Sequence, residues 1–162
     1  MESRSIPIVN INYKGKVDWN GVLNLVYAWL TDRKFTFIER KHKSRTDERE
    51  ILITSDRRIT GYIRYYIDVE IRFINIKPTE IETPNGIVQG FEGHLSVDIS
   101  GKFVADWQKR WGGHEWIQQL DFFFRKFIIH QDLEHIYEDN LLIMVDNLKR
   151  ELQKFLGMEV FH

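Results

Sequence analysis

The sequence of 162 residues contains no cysteine and only three prolines. Without cysteine the chain has no disulfide bonds, no thiolate ligands for a metal and no cysteine nucleophile. No apolar run approaches the roughly 18 residues that a membrane-spanning helix requires. The N-terminal residues also lack the continuous apolar stretch of a secretory signal peptide. These absences predict a cytoplasmic protein without a membrane span.

An excess of charge of one sign is also lacking. The chain has 23 Lys and Arg residues against 24 Asp and Glu residues, which gives a formal net charge of -1. This balance removes the long-range attraction on which nucleic-acid coats and polybasic membrane binders depend. Nucleic acid is therefore the least favoured class of partner.

The composition does provide for one folded core. Hydrophobic residues make up 43% of the chain and aromatic residues 14%, and the length matches the usual size of one domain. No Pro/Ser-rich linker and no internal repeat divides the sequence. Residues 1–162 are therefore predicted to form a single α+β domain.

Apolar and polar residues alternate in several segments, which is typical of half-buried strands. The clearest segment is 60–77, and its alternation slips after Phe73, which predicts a bulge. Other strands are predicted at 6–13, 35–40, 50–54 and 87–99. Gly15 is expected to end the first strand and Gly101 the last, and residues 84–86 are expected to form a hairpin turn.

Helical spacing of apolar residues predicts a helix at 19–32, directly after Asp18, which is a good N-cap. The same spacing predicts helices at 116–127 and 133–155, the second ending at Gly157. The sequence therefore predicts an α+β fold. Its antiparallel β-sheet of about five to six strands would be covered on one face by the N-terminal helix and the C-terminal helices.

No motif in the chain carries recognisable chemistry. Neither a phosphate-binding glycine loop nor a dinucleotide fingerprint nor a nucleophile elbow is present. His130, Glu134 and His135 have the wrong spacing for a zinc helix, because residues five apart lie about 140° apart around the helix axis. We therefore predict no catalytic residues, no cofactor-binding residues and no metal ligands, which favours a protein that is not an enzyme.

The most uneven charge lies in a predicted hairpin. The candidate contacts for a polyanion are Arg40, Lys41, Lys43 and Arg45. Regular strand alternation would place Arg40 on one face and Lys41 and Lys43 on the other, so a phosphate track would meet only part of this charge. Acidic residues at 47, 48 and 50 offset it further. Any binding of nucleic acid is expected to be weak.

Aromatic side chains crowd the C-terminal third of the chain. The candidate residues for a protein interface are Trp107, Trp111, Trp116, Phe122 and Phe124. In a helix, three consecutive phenylalanines from residue 122 cover about 200° of arc, which is more than one sheet face can bury. Either neighbouring helices cover the remainder or a second protein chain does.

Short patterns run through the sequence from Tyr13-Lys14-Gly15-x-x-Asp18 to Trp29-Leu30, Phe37-x-Glu39, Lys41-x-Lys43 and Ile99-x-Gly101 with Asp106. In these the chain resembles an uncharacterised, mostly archaeal protein family of unknown function, and the resemblance implies no site. The predicted order of strands and helices is separately similar to the helix-grip fold of lipid-transfer and polyketide-cyclase-like domains. That similarity concerns element order alone.

Three functions are compatible with these observations. The leading hypothesis is a non-catalytic protein-interaction or structural protein that self-associates through apolar helix surface, so that its partner is a protein, a second copy, or both. The alternative is a small hydrophobic-ligand-binding domain of helix-grip type. The third is a weak nucleic-acid binder that uses the basic hairpin.

Overall fold

The computed structural model describes residues 2–59, 63–105 and 132–157. These residues form six strands and two helices. In chain order the elements are β1 (Glu2–Ser5), β2 (Val9–Val17), α1 (Trp19–Asp32), β3 (Thr36–Ser44), β4 (Glu48–Arg58), β5 (Ile63–Thr83), β6 (Gly86–Ala105) and α2 (Asp132–Phe155). The predicted α+β class is confirmed.

All described strand pairs are antiparallel, which confirms the predicted kind of sheet. Strands β6, β5, β4 and β3 lie side by side in that order. Both β1 and β2 pair with β6, at residues 102–105 and 91–99 respectively. The first two strands therefore lie end to end along one edge of the sheet, and β3 forms the opposite edge.

One face of the sheet is apolar and is covered by the two helices. In β5 the odd-numbered residues from Ile63 to Phe73 are buried, whereas the even-numbered residues between them are partly or largely exposed, as the alternation predicts. The Trp19 ring of α1 stacks on Phe73. The Tyr65 hydroxyl donates to the backbone carbonyl of Tyr137 in α2 at 2.9 Å. Side chains of both helices thus fill the space above this face.

Helix α1 has the predicted bounds. The Asp18 carboxylate accepts a hydrogen bond from the Gly21 backbone N–H at 3.1 Å, so it caps the helix at its N-terminus. Val22, Val26 and Leu30 recur at intervals of four and are fully buried. The helix therefore starts where its cap satisfies a free N–H group and buries the stripe that its sequence pattern predicts.

Helix α2 also matches the prediction at its C-terminal end. Its stripe of Leu141, Val145, Leu148 and Leu152 is fully buried against the sheet and α1. Gly157 follows with a φ of 75°, a left-handed conformation that glycine adopts without a steric penalty. Among the described helices, neither is long and apolar enough to cross a membrane.

Two predictions for the strands at the β1–β2 edge and in β6 are wrong. The segment predicted at 6–13 contains the break between β1 and β2, and β2 passes through Gly15 to Val17. Gly101 does not end β6, which continues to Ala105. A Cβ at Gly101 would lie 2.8 Å from the Ile6 Cδ1 atom. Gly101 therefore leaves room for the Ile6 side chain and does not end the strand.

Both irregularities predicted in the long β5–β6 hairpin are confirmed. The register shifts between Ile74 and Lys77, where Asn75 has a φ of 55°. Pro84 and Asn85 form a two-residue turn between the paired residues Thr83 and Gly86. The hairpin therefore continues past the start of β4, which pairs with β5 only as far as Ile74.

Several predictions lie outside the described residues. They include the helix predicted at 116–127 and the zinc spacing around His130. The candidate interface residues Trp107, Trp111, Trp116, Phe122 and Phe124 also lie there.

Candidate functional site: the open face of the sheet

The sheet face opposite the helices, here called the open face, is strongly polar. No described helix lies over it. The register places on it Asn10, Asn12 and Lys14 of β2, His94, Ser96, Asp98 and Lys102 of β6, Tyr66, Asp68, Glu70, Arg72 and Ile74 of β5, Glu50, Thr54 and Asp56 of β4, and Lys41 and Lys43 of β3. These side chains come from every row of the sheet, so they form one continuous surface.

The open face contains a buried carboxylate on β4. The Glu50 side chain is only 6% exposed, although it is on the face that carries no described helix. Its Oε1 atom lies 2.9 Å from the Lys41 Nζ atom and 3.6 Å from the Arg72 Nε atom. The register explains this position, because Glu50 lies between Lys43 on β3 and Arg72 on β5.

The charges around Glu50 keep it ionised. The contact from the Lys41 ammonium lowers the pKa of Glu50 below its usual value and outweighs burial, which acts in the opposite direction. The charges of Arg72 and Lys43 lower the pKa further. Glu50 is therefore a fixed negative charge rather than a group that gives or takes a proton near neutral pH.

The ion pair is part of a chain of charged side chains across the three strands β3, β4 and β5. Arg72 donates to the Glu70 Oε1 atom from Nε at 3.0 Å and from Nη2 at 2.8 Å. We call the series Lys41, Glu50, Arg72 and Glu70 the ion-pair chain. Glu70 is also directly opposite Asp98 on β6, and like charges in that position repel each other. Arg72 offsets this repulsion at Glu70.

The described part of the chain forms concavities on the open face, of which two lie near the charged side chains. One, of about 550 Å³, lies over part of the ion-pair chain and is also lined by Asn12, Lys43 and His94. The other, of about 450 Å³, is lined by Arg40, Tyr66 and Asp68 among others. Burial raises the pKa of Asp68, while the charges of Lys102 and Arg40 act in the opposite direction. Charged side chains of both signs line each of the two concavities.

The predicted alternation of the basic residues is wrong, because β3 contains a bulge between Glu39 and Lys41. Glu39 pairs with Ile53 and Lys41 with Leu52, which leaves Arg40 without a partner in the register. The Arg40 Nε atom donates to the Thr54 Oγ1 atom at 3.1 Å, on the open face. The bulge therefore brings Arg40 to the same face as Lys41 and Lys43.

The four candidate polyanion contacts have different environments. Lys41 is engaged by Glu50 and Arg40 by Thr54, whereas the Lys43 and Arg45 side chains are exposed. The Arg45 backbone N–H donates to the Glu48 carbonyl at 2.8 Å in the turn between β3 and β4. The structure thus brings three of the four side chains to one face and places the fourth at its end.

Sequence reasoning did not identify Glu50 as part of a candidate site. Its neighbours Ile51, Leu52 and Ile53 predict a strand, but nothing local shows that position 50 lies between two cations. In the described part of the chain, no group of three or more His, Asp or Glu side chains is arranged to hold a metal ion. What this arrangement can do is present fixed charges of both signs on a broad surface.

The open face is therefore the candidate functional site, and its properties come from charge and shape rather than from a reactive group. The suggested relationship to an archaeal family stays a prediction. No protein-family model, no curated protein and no solved structure matches the chain.

Proposed function

We propose that the protein is a non-catalytic binding protein that recognises another protein chain through the open face of its sheet. The observation that carries this proposal is the ion-pair chain, in which the buried Glu50 carboxylate contacts both Lys41 and Arg72 on this face. Side chains that are fixed before binding lose less conformational entropy when a partner arrives.

The dimensions of the open face suit a protein partner. Five rows about 4.8 Å apart make a width of roughly 24 Å, and about nine residues per row make a length of roughly 30 Å. The resulting area of about 700 Å² is close to the roughly 800 Å² that each partner contributes to a standard interface.

The side chains of the open face also favour protein over nucleic acid. Tyr66 and Arg72 belong to residue types that are enriched at protein interfaces. Ile38, which pairs with Thr54 and so shares its face, and Ile74 add apolar contact area, since they are 54% and 40% exposed. Carboxylates alternate with the cations, which complements a protein surface of mixed charge but repels a phosphate backbone.

Nucleic acid is the second candidate, and the bulge in β3 is the observation that favours it. Arg40, Lys41 and Lys43 form a basic row along one edge of the open face. Single-stranded nucleic acids bind sheet faces of this kind when aromatic side chains offer stacking platforms. Tyr66 is one such side chain on the open face, and the Lys102 ammonium already lies 5.2 Å from the centre of its ring.

A hydrophobic ligand between sheet and helices is less well supported. Tyr65, Ile67, Val69 and Phe73 line the apolar face and are at most 2% exposed. The Trp19 and Tyr137 side chains pack directly against Phe73 and Tyr65. This part of the interior is filled by the chain itself.

Photo-crosslinking from matched positions tests the proposal. A benzophenone amino acid would replace Ile38 or Ile74 on the open face, and Ile143 on α2 as the control, since Ile143 is 67% exposed. We expect one partner to be captured from both open-face positions in cells and not from Ile143. The partner, once purified, should bind the chain directly, and Arg72→Glu should weaken that binding about tenfold or more.

The control for the binding measurement is Glu151→Lys, an exposed charge change on α2, which should leave the affinity unchanged. Capture from Ile143 alone would overturn the proposal in favour of the apolar helix surface. Equal loss of binding in both charge variants would also overturn it. Tight binding of labelled RNA or DNA by the open face would instead support the second candidate.

A further inference from the structure

The two edges of the sheet are built differently. The β3 edge carries Arg40, Lys41 and Lys43 and contains a bulge. Lysines and bulges on an edge strand are devices that discourage pairing with another chain. The opposite edge, formed along most of its length by β2, has no register shift over Val9–Val17, and its two lysines, Lys14 and Lys16, are confined to its C-terminal half.

Strand β2 has a described partner on one side only. All nine of its residues are in register with β6, and no other described strand pairs with it. Among the described residues no strand pairs with the outward-facing N–H and C=O groups of β2, and a long regular edge of this kind is a template for pairing. Asn10, Asn12 and Lys14 lie on the open-face side of this edge.

We propose that a second copy of the chain adds to this edge, with the two β2 strands antiparallel and Asn12 on the two-fold axis. In this register Asn12 faces its own counterpart, Asn10 faces Lys14 of the second copy, and Ile11 faces Tyr13 of the second copy. Apolar side chains then meet apolar side chains on the helix side, and polar side chains meet on the open face.

Charge complementarity favours this register. The Asn10 side-chain amide donates to the Asp98 Oδ1 atom at 2.5 Å, so the carboxylate lies one strand in from the edge. Lys14 of the second copy would stand on the other side of Asn10, with a side chain long enough to reach toward Asp98. Two-fold symmetry repeats the contact, and the axis brings no two lysines opposite each other.

The flank of α2 above this edge provides separate support. The Glu138 carboxylate of α2 lies 3.5 Å from the Arg4 guanidinium of β1, so this side of the helix faces the β1–β2 edge. Leu142 lies one turn further along the same flank and is 37% exposed. In the proposed dimer the two α2 helices lie side by side across the axis, where Leu142 has an apolar neighbour.

This inference goes beyond the proposed function, because it concerns the edge of the sheet and not the partner of the open face. The paired copies would share one continuous sheet of ten rows. Their two open faces would join into a single polar surface of twice the width.

A charge swap at the axis tests the dimer and its register together. Wild-type protein is expected to sediment as a dimer in analytical ultracentrifugation. Asn12→Lys and Asn12→Asp should each sediment as monomers, because a residue on the two-fold axis meets its own charge. An equal mixture of the two variants should sediment as a heterodimer, because Lys then faces Asp.

The matched control is Thr36→Lys, at an exposed position of the β3 edge, which should leave the dimer intact. Circular dichroism would show that all variants keep the wild-type fold, as expected for surface positions. A monomeric wild type, dimeric Asn12 variants, or a mixture that stays monomeric would each overturn the inference. None of these results alters the crosslinks expected from Ile38 and Ile74, so the two proposals fail separately.

Discussion

The indole N–H of Trp29 donates to the Asn147 side-chain oxygen at 2.9 Å and so joins helix α1 to helix α2. The same oxygen accepts a hydrogen bond from the Arg33 Nη2 atom at 2.7 Å. The Arg33 guanidinium lies over the Trp29 ring, 4.2 Å from its centre. Asn147 thus satisfies the polar groups of two side chains at the contact between the helices.

Replacement of Asn147 by alanine should therefore destabilise the fold. Trp29 is 4% exposed, so its N–H would lose its partner without gaining free access to water. We expect a loss of about 1–3 kcal/mol in the free energy of unfolding, measured by chemical denaturation. Asn140→Ala, at an exposed position of the same helix, should change it by less than about 0.5 kcal/mol. Equal effects of the two substitutions would contradict the assigned role of Asn147.

Glu50→Gln should lower stability in a pH-dependent manner. Because the folded-state pKa of Glu50 lies below its usual value, the carboxylate stabilises the fold above the ordinary carboxyl pKa of about 4.3. That stabilisation disappears as the pH falls through the lower, folded-state pKa. At neutral pH we expect a loss of about 1–2 kcal/mol, since the carboxylate is buried but its cationic partners are exposed.

Denaturation curves for wild type and Glu50→Gln, recorded from neutral to acidic pH, measure this difference. Asp56→Asn is the control, because Asp56 is 39% exposed and lies 3.7 Å from Arg64. An exposed pair of this kind contributes little. A Glu50→Gln difference that grows toward acidic pH would refute the assignment.

Binding of nucleic acid, if it occurs through the basic row, should be weak and sensitive to salt. The variant Arg40→Gln, Lys43→Gln and Arg45→Gln removes three cations but leaves the Lys41–Glu50 pair in place. In fluorescence anisotropy with labelled RNA and DNA, the slope of log affinity against log salt should fall by about 0.9 for each phosphate that the variant no longer neutralises. Submicromolar wild-type binding that the triple variant abolishes would make nucleic acid the leading candidate.

Gly93→Ala should destabilise the sheet beside the bulge of β5. A Cβ at this position would lie 2.7 Å from the Ile74 carbonyl oxygen and 3.1 Å from that of Asn75. Both neighbours are backbone atoms, so the strand itself would have to move, at a cost of about 1–3 kcal/mol. Thermal denaturation of this variant measures the effect. Gln89→Ala, at an exposed position of the same strand, is measured in parallel as the control. If Gly93→Ala is as stable as the control, the backbone at the bulge can move to accommodate a Cβ at little cost, and the prediction is wrong.

Local patterns were sufficient to predict helix α1 and the buried face of β5. Asp18 caps α1 and its apolar residues recur every three or four positions, so both the start and the buried stripe follow from nearby residues. In β5 the alternation from Ile63 to Phe73 is regular enough to define its two faces. These features depend on interactions within one element or with the next few residues.

The open face depended on partners that are distant in the chain. Glu50 is buried because Arg72 stands opposite to it, 22 positions later, and Arg40 changes face because one residue bulges out of the ladder. A glycine at position 101 suggests the end of a strand, and only the packing of Ile6 against it shows why the strand continues. Cross-strand register is a property of the assembled sheet, so the composition of single segments could not predict these contacts.

The pairing of the first two strands with the last has a consequence for synthesis on the ribosome. Glu2 lies opposite Ala105 and Val17 opposite Phe91, so the N-terminal strands leave the ribosome long before β6. At about 5–20 residues per second, a separation of roughly 100 residues means a wait of about 5–20 s. During that interval the β3–β4–β5 meander can assemble from neighbouring segments, whereas the N-terminal edge stays unpaired. The N-terminal strands therefore cannot take up their native pairing until β6 has been synthesised.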